Sequence, residues 1–192
     1  MTMRIFFTFL ILVSFCANGI SQPVPNYHFY EKMTPSQLQA YRQSIWDTLP
    51  AAVGWISDFE GLFTSSQEDS LERMLEHFEK LTSVEIAIVT IDSNMVEQSR
   101  FNEFAYRLLK VWGIGKISKS NGMVICISKD YHNLYICTDF GIDKFINERD
   151  KYNIIKKQIM PFYAKNNYYH GTLAGLSDII ARINKKWSKY NK

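Results

Sequence analysis

The chain has 192 residues, 46% of them hydrophobic and 21% charged, which is the composition of an ordinary globular protein and of neither a disordered nor a collagen-like one. Its 22 Lys+Arg against 19 Asp+Glu leave a net charge of +3, too small and too evenly spread for a dedicated nucleic-acid binder. The length fits one domain with small appendages, and 15% aromatic residues supply a core that does not need disulfide staples.

At the amino terminus, Arg4 precedes an apolar run from Ile5 to Phe15, and Ala17-Asn18-Gly19-Ile20-Ser21 supply small residues for cleavage. This reads as a secretory signal peptide over residues 1–21. The run is too short to cross a bilayer core, which needs about 20 apolar residues. Bulky Phe15 ahead of Cys16 argues against a lipid-modified cysteine. Nothing after Gln22 is long or apolar enough to span a membrane, so the product is expected to be exported, periplasmic or secreted.

Residues 22–50 form an amino-terminal extension in which Thr34-Pro35 predicts a helix start, and the helix runs to about Leu49 before Pro50 stops it. The domain proper is expected over 51–192 and opens on a mixed apolar and turn-like stretch, Trp55 to Phe63. Thr64-Ser65-Ser66-Gln67 has capping-box spacing, and Leu71, Met74, Leu75, Phe78 and Leu81 recur at helical intervals behind it. Val84–Ile91 is β-branched and nearly continuous in apolar character, as an interior strand covered on both faces would be. Phe101, Phe104, Ala105, Leu108, Leu109 and Trp112 mark a second helix closed by Gly113 and Gly115. Two strands follow, Met123–Ile127 and Leu134–Cys137, around a tight turn with Tyr131-His132 at its tip. Residues 143–166 read as helical pieces broken at Pro161, and Leu173 to Trp187 line a last helix. The order predicts an α/β fold, a three-layer α/β/α sandwich with a short central mixed sheet.

In that simple hairpin Cys126 and Cys137 face each other. An oxidising compartment permits a bridge, but they fall on a hydrogen-bonded pair, where side chains stand farther apart. The sequence leaves both a disulfide and two buried reduced cysteines open.

His28, His77, His132 and His170 are scattered, so no sequence-local zinc site is expected. Gly113-Ile114-Gly115-Lys116 ends a helix instead of following a strand, and no nucleophile elbow or cysteine-phosphatase loop occurs. What remains is a set of oxygen ligands and special backbone positions near strand ends: Asp58, Asn121-Gly122, Asp139-Phe140-Gly141, Asp143 and Asn147-Glu148. Hard cations such as calcium take several such oxygens, and strand-end loops are where α/β sheets gather ligands. Solvated loop carboxylates and an ordinary Asn-Gly turn explain the same residues without a metal.

From about residue 52 to 184 the chain resembles the TPM domain family, through Ile56-Ser57-Asp58-Phe59-Glu60-Gly61-Leu62-Phe63, Glu85–Ile91, Trp112-Gly113-Ile114-Gly115, Asn121-Gly122-Met123-Val124, Asp139-Phe140-Gly141-Ile142, Ile159-Met160-Pro161-Phe162 and Tyr168–Leu173. No single motif is specific; their order and spacing are. The resemblance implies an α/β/α sandwich and a family described as calcium-binding, as acid phosphatases and as accessory factors in membrane-protein turnover. Asp58, Asn121-Gly122 and Gly141 match family positions. Asp139 stands where the family has a glycine, and Asn147-Glu148 where it has a Thr-Asp pair.

The leading expectation is therefore an exported calcium-binding interaction or accessory module, with Asp58, Asp139, Glu148 and Asn121 as metal ligands and Gly122, Gly141 and Asp143 in the loop pocket. An alternative is a metal-dependent acid phosphatase in which Lys116 or Lys119 meets the phosphate and a cation-bound water attacks. A third is a ligand-free structural domain that binds an unknown protein partner through Tyr27, Phe29 and Tyr30 or the basic final helix, Lys185, Lys186, Lys189 and Lys192. No nucleic-acid partner is expected, and the resemblance to tethered relatives does not extend to a carboxy-terminal membrane helix.

Overall fold

The computed structural model describes residues 33–190. The expected signal peptide, Tyr27, Phe29, Tyr30 and Lys192 lie outside the described residues. The first helix, α1 (Pro35–Asp47), starts where Thr34 and proline place it. The Gln37 amide donates to Thr34 Oγ1 at 3.3 Å, and the Gln37 side chain accepts from the Thr34 amide at 2.8 Å. Both are donors that a helix start otherwise leaves unpaired.

A strand not separated in the sequence reading follows. The stretch read as mixed and turn-like holds β1 (Ile56–Asp58), three residues that pair in parallel with β2 (Glu85–Thr90). Its brevity hides it, since alternation cannot show in three positions. Between them runs α2 (Ser65–Thr82), and the Thr64 amide donates to Gln67 Oε1 at 3.0 Å as the capping-box spacing predicts. A short 3₁₀ turn then leads into α3 (Phe101–Val111), and the chain returns through β3 (Gly122–Ser128), parallel to β2, and β4 (Asn133–Thr138), antiparallel to β3. The sheet is mixed, in the order β1-β2-β3-β4.

After the sheet come α4 (Phe140–Asp143), α5 (Glu148–Ile154), a π-helical turn over Ile155–Ile159, α6 (Met160–Tyr163) and α7 (Tyr168–Tyr190). Pro161 sits in the first turn of α6, where its missing N–H costs nothing, and the irregular turn precedes it. The last helix begins five residues earlier than its first apolar marker, Leu173.

Alternation along the strands splits the core in two. Ile86, Ile88, Met123, Ile125 and Ile136 pack against Leu71, Leu75 and Phe78 of α2 and Leu176, Ile179 and Ile183 of α7. Ala87, Val89, Val124, Cys126 and Cys137 pack against Phe101, Phe104, Ala105, Leu108 and Leu109 of α3. Helices thus cover both faces, as the three-layer reading requires.

The β3–β4 register differs from the simple hairpin. Ser128 pairs with Asn133, leaving a four-residue loop in which His132 has φ 47, so Cys126 lies opposite Tyr135 and Cys137 opposite Val124. The cysteines are diagonal neighbours, not partners, and both thiols are free and buried. Diagonal positions stand about 7–8 Å apart, near or beyond the reach of a relaxed disulfide.

Outside the second face, α1 is clasped to α3 by its Trp46. The Arg100 guanidinium lies 3.3 Å from the indole centroid and that of Arg107 4.3 Å, while Arg107 Nη1 donates to the Trp46 carbonyl at 2.6 Å. Trp46→Ala removes both cation–π contacts and the contact with Phe104, whose ring centroid is 6.1 Å away. It should lower stability by about 2–3 kcal/mol in urea unfolding.

Candidate functional site

The parallel strands point their carboxyl ends one way, and the functional residues expected from the sequence divide between that end and the other. Asp58 closes β1. Its carboxylate accepts from the Leu62 amide at 3.0 Å, from the Phe63 amide at 2.7 Å and from the Thr90 hydroxyl at 2.6 Å, so it holds the following loop over the end of β2. Thr90 Oγ1 in turn accepts from the Glu60 amide at 2.8 Å.

Beside Asp58 a cleft of about 300 Å³ opens between β1 and the start of α2, and three further carboxylates line it: Glu68, Asp69 and Glu72. Glu72 accepts from the Trp55 amide at 2.9 Å and from the Ile56 amide at 3.1 Å. Burial, and then the charges of Asp58, Asp69 and Glu72, push the Glu68 carboxyl above its ordinary value. Among the described residues, no lysine or arginine lines this cleft.

On the other side of Asp58's loop, Glu60 reaches the β3–β4 turn. Its carboxylate accepts from the Lys129 amide at 2.9 Å and from Ser128 Oγ at 3.3 Å. Burial dominates and pushes its pKa up to about 7; the amides of Lys129 and Asp130 pull it down, and the charges of Asp130 and Asp92 push it up.

Asn121, Asp139, Asp143 and Glu148 lie at the opposite end of the sheet. Asp58 pairs with Thr90, whereas Gly122 pairs with Glu85, five residues back along β2. At about 3.3 Å per residue that is a separation on the order of 16 Å. The Asp139 amide donates to the Gly122 carbonyl at 2.9 Å, fixing Asp139 at this far end. The expected ligand set of Asp58, Asp139, Glu148 and Asn121 is therefore not one site, because it joins both ends of a rigid sheet. Lys116 and Lys119 also belong to the Asn121 end, so a phosphate held there is remote from any cation held by Asp58.

The far end is organised by ammonium groups and backbone. Lys110 Nζ forms an ion pair with Asp139, and that hydrogen bond raises the lysine above its ordinary value. Lys151 is buried and donates to Glu148 Oε1 at 2.6 Å and to Thr138 Oγ1 at 2.6 Å, with Asp143 Oδ1 at 3.8 Å. The positive charge that Asp139, Asp143 and Glu148 require is supplied by lysines. Asn121 accepts from the Lys116 amide at 2.8 Å and donates to the Ser83 carbonyl, tying the end of α2 to the loop before β3.

Gly122 and Gly141 are glycines because backbones cross there. A Cβ on Gly122 would fall 2.0 Å from the Ile114 carbonyl oxygen, and one on Gly141 2.2 Å from that of Lys119. The loop-pocket residues Gly122 and Gly141 thus join three loops in direct contact, while Asp143 stands at the rim with Lys151. Among the described residues, no three His, Cys, Asp or Glu side chains are gathered tightly enough to hold a metal ion.

Two groups escaped the sequence reading. Glu60 lay inside the motif quoted for its aspartate. Glu68 and Glu72 share a helix face at i, i+4, and their charge conceals that this face turns toward β1.

The family model described as the TPM domain matches residues 56–182. The chain belongs to the TPM domain family. No curated protein matches it. Among solved structures, this TPM domain is similar to the N-terminal domain of a protein from P. gingivalis, at 22% identity and TM-score 0.64, covering 70% of this chain and 84% of that one. It is also similar to the BA42 protein of the psychrophilic bacterium Bizionia argentinensis, at 18% identity and TM-score 0.56, covering 66% and 84%. The N-terminal domain of the cg2496 protein of Corynebacterium glutamicum matches at 10% identity and TM-score 0.53, covering 68% and 80%. At these identities the likeness establishes the fold.

Glu60 makes the TPM domain's stability pH-dependent. Because its folded pKa is raised, from 4.5 to about 7, the native state binds more protons than the unfolded chain between those values, and this group's contribution falls as pH rises through them. Glu60→Gln should gain stability relative to the parent as pH rises from about 5 to 8, by on the order of 2 kcal/mol, in paired urea titrations.

Proposed function

We propose that this TPM domain is an exported, calcium-responsive accessory module whose ion is taken in the cleft of Asp58, Glu68, Asp69 and Glu72. The observation that carries the reading is electrostatic. Four carboxylates share one cleft in which the described residues place no ammonium group, and burial, with their mutual repulsion, raises Glu68. At the other end of the sheet every carboxylate of the expected set has a lysine beside it.

A divalent cation relieves the repulsion that the lysines relieve elsewhere. Calcium suits such a cleft because it accepts six to eight oxygens in flexible geometry. Asp58 and Glu72 already accept backbone N–H groups, but Asp58 Oδ2 and both Glu72 oxygens each accept one hydrogen bond and keep a further lone pair. Glu68 is half-buried and Asp69 exposed on the helix surface, free to change rotamer, so binding draws them inward. A site that must gather its ligands binds weakly, in the range of about 10⁻⁴ to 10⁻³ M typical of extracellular modules. Export, expected from residues 1–21, supplies calcium at that level.

Ligand binding to the folded state alone raises its stability. Calcium well above its dissociation constant should raise the melting temperature by about 5 °C over chelator, in differential scanning fluorimetry. Glu68→Gln with Asp69→Asn should abolish the rise, and Asp139→Asn should leave it intact. The opposite pattern, or no rise at millimolar calcium, overturns the reading.

A further inference from the structure

The end of the sheet remote from Asp58 carries two large apolar side chains with almost no cover: Ile117 is 99% exposed and Phe140 88%. They are neighbours by construction. Ile117 occupies the turn closed by the Lys119 amide donating to the Lys116 carbonyl at 2.8 Å, and the Gly141 amide, next to Phe140, donates to the Ser120 carbonyl at 2.9 Å. Leu81, in the last turn of α2, and Val111, at the end of α3, are exposed at the same end. Single exposed apolar residues are ordinary; a pair raised on loops locked by crossing backbones is not.

Lysines surround the pair. Lys116 and Lys119 flank Ile117, Lys110 holds Asp139 beside Phe140, and Lys144 follows Phe140 by one helical turn. In the two ion pairs nearest the apolar pair the cation is the outer member: Lys110 is 48% exposed against 10% for Asp139, and Lys116 46% against 26% for Glu79. The carboxyl end of α7 joins this end, with Lys186 Nζ donating to the Phe145 carbonyl at 2.7 Å. The opposite end of the sheet presents Asp58, Glu60, Asp69, Asp92 and Asp130, with Lys129 in the β3–β4 turn. The apolar tips thus sit among exposed lysines, while the exposed carboxylates of this end, Glu148 and Asp143, gather on buried Lys151 instead.

We infer that this end docks on an anionic bilayer surface, with Ile117 and Phe140 entering the interfacial layer and the lysines meeting lipid phosphates. An anionic membrane attracts the lysine end and repels the carboxylate end, which fixes the orientation. Two apolar side chains alone hold a protein weakly, so basic residues and apolar insertion act together, as two-signal membrane binding requires. The surface lies far from the proposed calcium cleft and does not depend on it. Membrane crossing is not involved, since no helix among the described residues is long and apolar enough.

The test is co-sedimentation of the full chain with vesicles of phosphatidylcholine alone and with about one third phosphatidylglycerol. Partition into the anionic vesicles should be roughly tenfold or more stronger and should weaken as salt is added. Ile117→Ser with Phe140→Ser should reduce it roughly tenfold without moving the melting temperature, because both side chains already face water. Both proteins carry the same residues 1–32, so the difference isolates the two loops. Lys116→Glu with Lys119→Glu should act in the same direction. Equal binding to both lipids, or binding untouched by the serine pair, overturns the proposal. So does a parent chain that ignores vesicles while the serine pair abolishes self-association, which would assign the patch to a second copy.

Discussion

β3 is buried along all seven of its residues, and that burial organises the domain. A strand with no exposed position must satisfy its backbone on both edges and cover its side chains on both faces. β2 and β4 supply the edges, the first in parallel and the second antiparallel. Leu71, Leu75 and Phe78 of α2, with the apolar stripe of α7, cover the side of Met123 and Ile125, and α3 covers the side of Val124 and Cys126. The parallel pairing forces the crossover through α3, whose end must then re-enter the sheet at Gly122. The crowding there explains the glycines: a chain arriving from a helix, a strand starting and a neighbouring strand ending all cross in one place.

Consequently, the two ends of the sheet differ in how they handle charge. Where the backbones cross, little room is left, and carboxylates come with lysines in fixed pairs, Lys110 with Asp139 and Lys151 with Glu148 and Asp143. At the other end carboxylates do mechanical work through backbone amides. Asp58 holds its own loop, Glu72 holds the start of β1, and Glu60 holds the β3–β4 turn. Those bonds leave net negative charge unbalanced, and the elevated pKa values of Glu60 and Glu68 follow from burial and that crowding.

Much of the fold was legible because it is written in periodicities. The helical spacing of Leu71, Leu75 and Phe78, the unbroken apolar character of Val84 to Ile91 and the proline at α1 each reported a local preference that tertiary packing kept. β1 was not legible, because three residues carry no period. The hairpin register was misread by counting from a two-residue turn when the loop has four. The site was least legible. Asp58 and Asp139 look alike as loop acids beside strands, and only topology tells which end of the sheet each occupies. Nor does a sequence say that Asp139 already has Lys110, twenty-nine positions away, for a partner.

The role of Glu72 in β1 has a consequence for the chain's dealings with other chains. An open sheet ends in strands whose free amides and carbonyls can template another sheet's edge. β1 is one such end here, yet it is only three residues long, and the amides of Trp55 and Ile56 are taken by a side chain of its own helix. An approaching strand finds too few groups to form a ladder, and a carboxylate already seated on two of them. Edge-to-edge polymerisation is thus discouraged on this side of the sheet by a single glutamate about two turns into a neighbouring helix.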